Sequence, residues 1–257
     1  MKSMSQTLAN GLLGFVLLCA SLAMAADQPS PEQKSLEDVS FAAARNMESA
    51  AQLFDSMFSQ GLTAKERASV HEALKDAYGF AAFPNVMKVG VGVSQIQGRG
   101  VMVFRDAKGD WKAPLPLLIN GTSLGMHFAA ISYDTLIPIR EPVEMQKLFK
   151  QDIAFSGADS IGPLQAWGST NSGLVAYTRA KGLSSGITQD TIHITLDQQA
   201  IAALYGIHIE PHELFSGKLD YCRKPLPAQM LIQKANEMAT GAPLTMKLEL
   251  SPGKSAP

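Results

Sequence analysis

The apolar positions Leu36, Val39, Ala43, Met47, Ala50, Phe54, Met57 and Phe58 recur at three- and four-residue intervals, which lays one stripe along a long helix. Gly61 ends that helix, and Thr63-Ala-Lys-Glu66 has the form of a capping box. A second helix carrying Val70, Leu74 and Ala77 inward follows, and the two form a helical hairpin. From Phe80 the period falls to two. Short apolar runs punctuated by glycine, at 86–93, 98–105, 115–119, 124–133 and 135–139, read as strands. Asp106-Ala-Lys-Gly-Asp110 has the composition of a hairpin turn, and Pro114 and Pro116 suit an edge or an irregular strand start. A helix at 143–151 interrupts, then strands resume at 173–178, 183–187 and 192–196. Asp197 caps a short helix that stops at Gly206, and residues 227–238 form a closing helix. Neighbouring strands without intervening helices imply antiparallel pairing. The expected class is therefore α+β: an N-terminal helical hairpin packed on a mainly antiparallel sheet, open or closed into a barrel, with short additional helices.

The first 25 residues follow another pattern. Lys2 precedes the apolar run from Gly11 to Ala20, and Ala23-Met-Ala25 is a small-x-small string. This is the form of a cleaved export signal, so the expectation is a periplasmic or secreted protein. The division is then signal 1–25, linker 26–32, one domain 33–239 and a loose tail 240–257. Cys19 reads as an apolar member of the signal, because Leu17 and Leu18 precede it where a lipid-attachment site takes small residues. Cys222 is then a lone thiol, either buried or paired between chains.

Composition narrows the function classes. With 46% hydrophobic and 18% charged residues over 257 positions, disorder as the main state is excluded. The 22 Lys+Arg against 23 Asp+Glu lack the basic excess of a nucleic-acid binder. Two cysteines support neither a disulfide scaffold nor a cysteine zinc cluster. The long helix sets Glu37, Asp38, Glu48 and Asp55 against Lys34 and Arg45, an acidic polar face that anionic headgroups repel. Its stripe is assigned to core packing.

Three motifs carry candidate chemistry. Gly121-Thr-Ser123-Leu-Gly125 matches the G-x-S-x-G nucleophile elbow, with Asp190 and His193 following in hydrolase order. An elbow needs a helix after the serine, whereas the residues after Ser123 read as strand. His208-Ile-Glu-Pro-His212 spaces two imidazoles four apart, but Pro211 breaks the helix that would align them, and no metal or cofactor is expected. His71 and His127 stand alone. Cations cluster more usefully: Lys88, Arg99, Arg105, Lys108 and Lys112 face only Asp106 and Asp110 within 88–112. Arg179 and Lys181 add a second pair beside Gly182, where guanidinium and ammonium can approach phosphate oxygens. A solvated charged hairpin is the plain alternative.

Several strings together resemble the SYLF domain, a lipid-binding family that includes actin-regulating and exported bacterial proteins. Tyr177-Thr-Arg179-Ala-Lys181-Gly182-Leu-Ser-Ser-Gly186 follows the family's Tyr-Ser-Arg-x-Lys-Gly-Leu-x-x-Gly pattern with Thr178 in place of serine. Lys88-Val-Gly90, Gly98-Arg-Gly100, Trp111-Lys-Ala-Pro114, Gly121-Thr-Ser-Leu-Gly125, Ile161-Gly-Pro163 and Tyr205-Gly206 stand in the family's order. Ser94-Gln95 and Lys112 depart from it. The resemblance and the local charge together point to a non-enzymatic protein that binds anionic lipid or a membrane surface, with Lys88, Arg99, Arg105, Lys108, Lys112, Arg179 and Lys181 supplying the cations. Two alternatives stand beside it: a structural or partner-binding envelope protein, and a hydrolase acting through Ser123.

Overall fold

The computed structural model describes residues 31–59, 68, 71–72, 74–106, 108–158, 164–215 and 226–240. The export signal, the linker before Pro31, the capping box, Val70, Ile161-Gly-Pro163, Cys222 and the tail beyond Thr240 lie outside the described residues. The chain divides into two units at Val39/Ser40. The described part of the first unit is the opening of a helix, where Leu36 is exposed.

That helix, α1, runs Pro31–Ser59. Within the second unit its stripe is buried at Ala43, Met47, Ala50, Phe54 and Met57, as the spacing requires, while Phe41 faces water with Arg45 above its ring. Of the expected second helix, Ala68, His71, Glu72 and Leu74 are helical, and Leu74 and Ala77 are buried.

The strands are fewer and longer than the glycine punctuation suggests. Five expected runs merge into β1 (Gly79–Phe104) and β2 (Leu115–Ile139), and three more merge into β5 (Val175–Leu196). Between them stand α2 (Pro142–Lys150), β3 (Ile153–Ala158) and β4 (Gln165–Gly168). The sequence reading gave no strand for β3 or β4. The described strands form an antiparallel sheet in the order β1-β2-β5-β3, with β4 also on β5, and it is not closed into a barrel. Asp106 to Asp110 makes the β1–β2 turn, its Asp106 carboxylate accepting the Lys108 and Asp110 N–H groups at 2.8 and 3.0 Å.

Merging occurs because the breaks are bends rather than ends. β1 folds back on itself: Arg105 N–H donates to the Tyr78 carbonyl at 2.8 Å. At Gly100 a Cβ would stand 2.6 Å from the Ala82 carbonyl oxygen, so the two limbs of β1 meet where only glycine fits. The crease crosses all three long strands. Register shifts between Val91 and Val93 on β1, opposite the Gly125–His127 segment of β2. On β5, Gly186 has φ +118°, and a Cβ there would lie 2.1 Å from the Met126 carbonyl oxygen. The folded sheet thus makes two layers.

The larger core fills the space between them, with Phe83, Val86, Ile96, Met102, Ile119, Ile137, Ile192 and Ile194 buried. A second core lies on the outer face at the end away from the crease. There α1 and α4 (Leu226–Thr240) cover Phe80, Ala82, Val101, Val103, Leu136 and Tyr177. Phe54 meets Phe80 edge-on at 5.6 Å, and Trp111 stacks on Phe80 at 6.1 Å. After β5, α3 (Gln198–Tyr205) has both terminal signals in use: Asp197 accepts from Ala200 N at 3.1 Å and Gly206 adopts the left-handed conformation. Pro211–Phe215 is a short 3-10 helix.

Candidate functional site

Alternation along a strand fixes which side chains share a face. On β1 the outward set past the helix-covered end is Met87, Val89, Val91 and Val93; on β2 it is Leu124, Met126 and Phe128; on β5 it is Leu183 and Ile187. Val91 pairs with Phe128, Val93 with Leu124 and Met126 with Ile187, so the set is contiguous. Met126 is 90% exposed, Val91 81% and Ile187 70%. No charged side chain interrupts 89–98 or 182–189, and 113–133 holds only His127. This apolar crest lies at the crease, on the same outer face that α1 and α4 cover at the other end.

The inside of the crease is polar. Lys88, Ser94, Ser123, His127, Thr188 and Asp190 are all buried there. Lys88 Nζ donates to both Asp190 oxygens at 2.9 and 3.0 Å and to Thr188 Oγ1 at 3.2 Å. Ser94 Oγ and His127 Nε2 are 2.7 Å apart. The usual arrangement of apolar inside and polar outside is inverted at this one place.

The expected cations do not converge on one surface. Lys88 is 0% exposed and committed to Asp190, so it cannot reach a headgroup; its alternation with four valine and methionine positions gives the sheet's sidedness only once the inversion is known. Arg179 turns to the helix end, donating to the Ser56 and Met57 carbonyls at 2.5 and 3.4 Å, where a cation complements the last turn of α1. Arg105 lies over the Trp111 ring at 4.7 Å. Lys112 pairs with Asp106 at 3.2 Å, and Lys108 is exposed on the same turn. Desolvation is the largest single influence on Asp106 and raises its pKa, but the Asp110 N–H, Lys112 and the Lys108 N–H together outweigh it and hold the carboxyl below the ordinary range. Lys181 and Arg99 remain on the outward face. Lys181 is 69% exposed, one outward position from Leu183, with Asp134 at 3.6 Å; Arg99 lies beyond Val93, with Asp197 at 3.8 Å.

The hydrolase constellation is not assembled. Ser123 sits mid-strand and fully buried, not on an elbow, and its Oγ has no hydrogen-bond partner. Asp190 faces inward with it, but His193, an odd number of residues on, faces outward and meets Asp152 at 3.0 Å. His208 pairs with Glu210 at 2.9 Å, and His212 lies in the 3-10 helix.

The crest is not among the sites that local sequence motifs mark. Its signal was the absence of charge over three strand segments that share a register, combined with glycines at the bend.

Among solved structures, the virulence-associated protein VapD of Rhodococcus equi aligns with 46% of this chain and 96% of its own at 15% identity, with a TM-score of 0.28. LAS seventeen-binding protein 3 of two Saccharomyces cerevisiae strains, YJM789 and ATCC 204508/S288c, is 28% identical over 169 residues. That match takes in 61% of this chain and spans about a third, 36%, of the yeast protein's length. A family model described as Ysc84, Las17-binding protein actin regulator, matches residues 120–238, a stretch holding β5, its Tyr177–Gly186 string and most of β2. That description is of a binding and regulatory protein rather than an enzyme, and over that stretch, a little under half of its length, the chain is similar to the Ysc84, or SYLF, family.

Proposed function

We propose that this protein is a non-enzymatic binder of membrane surfaces with a preference for anionic lipid, and that it attaches through the crest. The observation that carries the reading is the contiguous, charge-free apolar surface at the crease. Patches of this kind mark interaction sites, because a soluble face of that size is otherwise a liability. Burying one Val, Leu, Ile or Met side chain is worth about 1.5–3 kcal/mol. A cation near an anionic surface adds about 1 kcal/mol. Three or four crest residues therefore outweigh Lys181 and Arg99 together, and the apolar contribution dominates while the cations set the lipid preference. With residues 1–25 read as an export signal, the surface concerned is one reached outside the cytoplasm.

Vesicle flotation tests this. The protein should float with vesicles of phosphatidylcholine mixed with phosphatidylglycerol and, several-fold less, with phosphatidylcholine alone. Met126→Asp/Ile187→Asp should abolish both. Lys181→Gln/Arg99→Gln should remove only the preference for the anionic mixture, along with its salt dependence. Undiminished flotation of the crest double variant overturns the reading.

A second reading is favoured by the name of the yeast relatives, which describes a protein that binds another protein. The crest would then dock a polypeptide partner. That outcome appears as a stoichiometric complex lost in the crest variant, with no flotation on either vesicle.

A further inference from the structure

A second feature, separate from the crest, lies between the two layers of the folded sheet. It is a cavity of about 40 Å³, lined largely by apolar side chains including Ile131, Phe155, Ile192 and Ala180. Trp167 and Gln165 of β4, hydrogen-bonded to each other at 3.1 Å, stand half-exposed at its margin. That volume admits about three water-sized groups.

Tyr133, Gln165 and Thr178 contribute polar side chains to the lining, and two further groups, Thr135 and Asp190, decide what the cavity can hold. Thr135 is buried and lines it, yet its Oγ1 has no hydrogen-bond partner. Buried hydroxyls are almost always paired, and an orphan needs an explanation. Asp190 also lines the cavity, but its charge is balanced by Lys88. The site therefore presents no net charge: a carboxylate or an ammonium group entering it would be desolvated without a counter-ion. A neutral hydroxyl meets no such cost, and it can accept from or donate to Thr135.

We propose that this cavity is a binding site for a neutral alkyl alcohol. The hydroxyl and the first carbons enter to meet Thr135, and the remaining chain leaves along Trp167. This goes beyond attachment at the crest and does not depend on it.

Trp167 supplies the test, since it is one of only two tryptophans in the chain. Titration with a bromo-octanol should quench tryptophan emission saturably, and octanol should reverse the quenching by competition. Octane and octanoate should compete at least about fivefold more weakly, the factor that corresponds to one neutral hydrogen bond. Trp167→Phe should remove the quenching. Thr135→Val, which keeps the side chain's shape, should weaken octanol about fivefold with the melting transition retained. Ala180→Leu should block binding by filling the cavity. The crest double variant should quench like the unchanged protein, so loss of flotation and loss of quenching are separate results. Non-saturable quenching, quenching equal in Trp167→Phe, competition by octane or octanoate as strong as octanol's, or unchanged affinity in both Thr135→Val and Ala180→Leu overturns the proposal.

Discussion

Lys88 is enclosed by protein on every side, and what holds it there is the carboxylate of Asp190 and the hydroxyl of Thr188. Removing one partner of such a pair strands the other charge in a low-dielectric interior, at about 3–5 kcal/mol, whereas replacing both with apolar groups is often close to neutral. Lys88→Met should therefore lower unfolding stability by about 3–5 kcal/mol in urea, and Lys88→Met/Asp190→Leu should recover most of that loss. Additive losses in the double variant would show that the two side chains act separately. The same residue marks the limit of reading charge from a sequence. Lys88 belongs to a local excess of cations, and composition predicts that such a group is solvated. Its burial depends on an acid 102 positions further along the chain, a pairing that no local pattern encodes. Arg179 was hidden in the same way, because its carbonyl partners lie on α1, over 120 residues earlier.

Elements whose signals are local were legible. The α1 stripe, the Asp106–Asp110 turn and α3 with its Asp197 and Gly206 caps all follow from residues within a turn or two of one another. The long strands were not, because a glycine that bends a strand and a glycine that ends one look alike in sequence. What separates them is the neighbour opposite: Gly186 faces the Met126 carbonyl from another strand. Gly186→Ala should accordingly destabilise the fold by at least about 2 kcal/mol, since it adds left-handed strain to a backbone clash. Gly168→Ala, on β4 with nothing within 4 Å of its added methyl, should change stability by less than about 0.5 kcal/mol. Similar melting temperatures for the two variants would mean that the crease relaxes by moving β2 away from β5. β3 and β4 escaped notice for a different reason: IAFSGA and QAWG hold one β-branched residue between them, so neither has the β-branched enrichment that marks a strand.

Among the described residues of the second unit, most apolar side chains occupy three settings: between the layers, beneath α1 and α4, and uncovered at the crease. The first two are settled by folding. The third leaves an outward surface whose interior side is polar, so turning the strands over would bury Lys88 and Asp190 no better and would leave charges at the crest instead. The inversion is therefore a property of the whole bent sheet rather than of any one strand, and the proposed attachment at the crest would direct that end of the unit toward an apolar medium. If the medium is a bilayer, the unit meets it end-on, with α1 and α4 held away from the headgroups. An environment-sensitive dye attached at Val91→Cys, with Cys19 and Cys222 changed to Ser, should shift strongly to the blue on adding phosphatidylglycerol vesicles. The same dye at Gln52→Cys, on the exposed side of α1, should not move. Equal shifts at both positions would place the helix in the interface and reverse the orientation. A shift at Gln52 alone would transfer attachment from the crest to α1, despite the Glu48 and Asp55 carboxylates that an anionic surface repels.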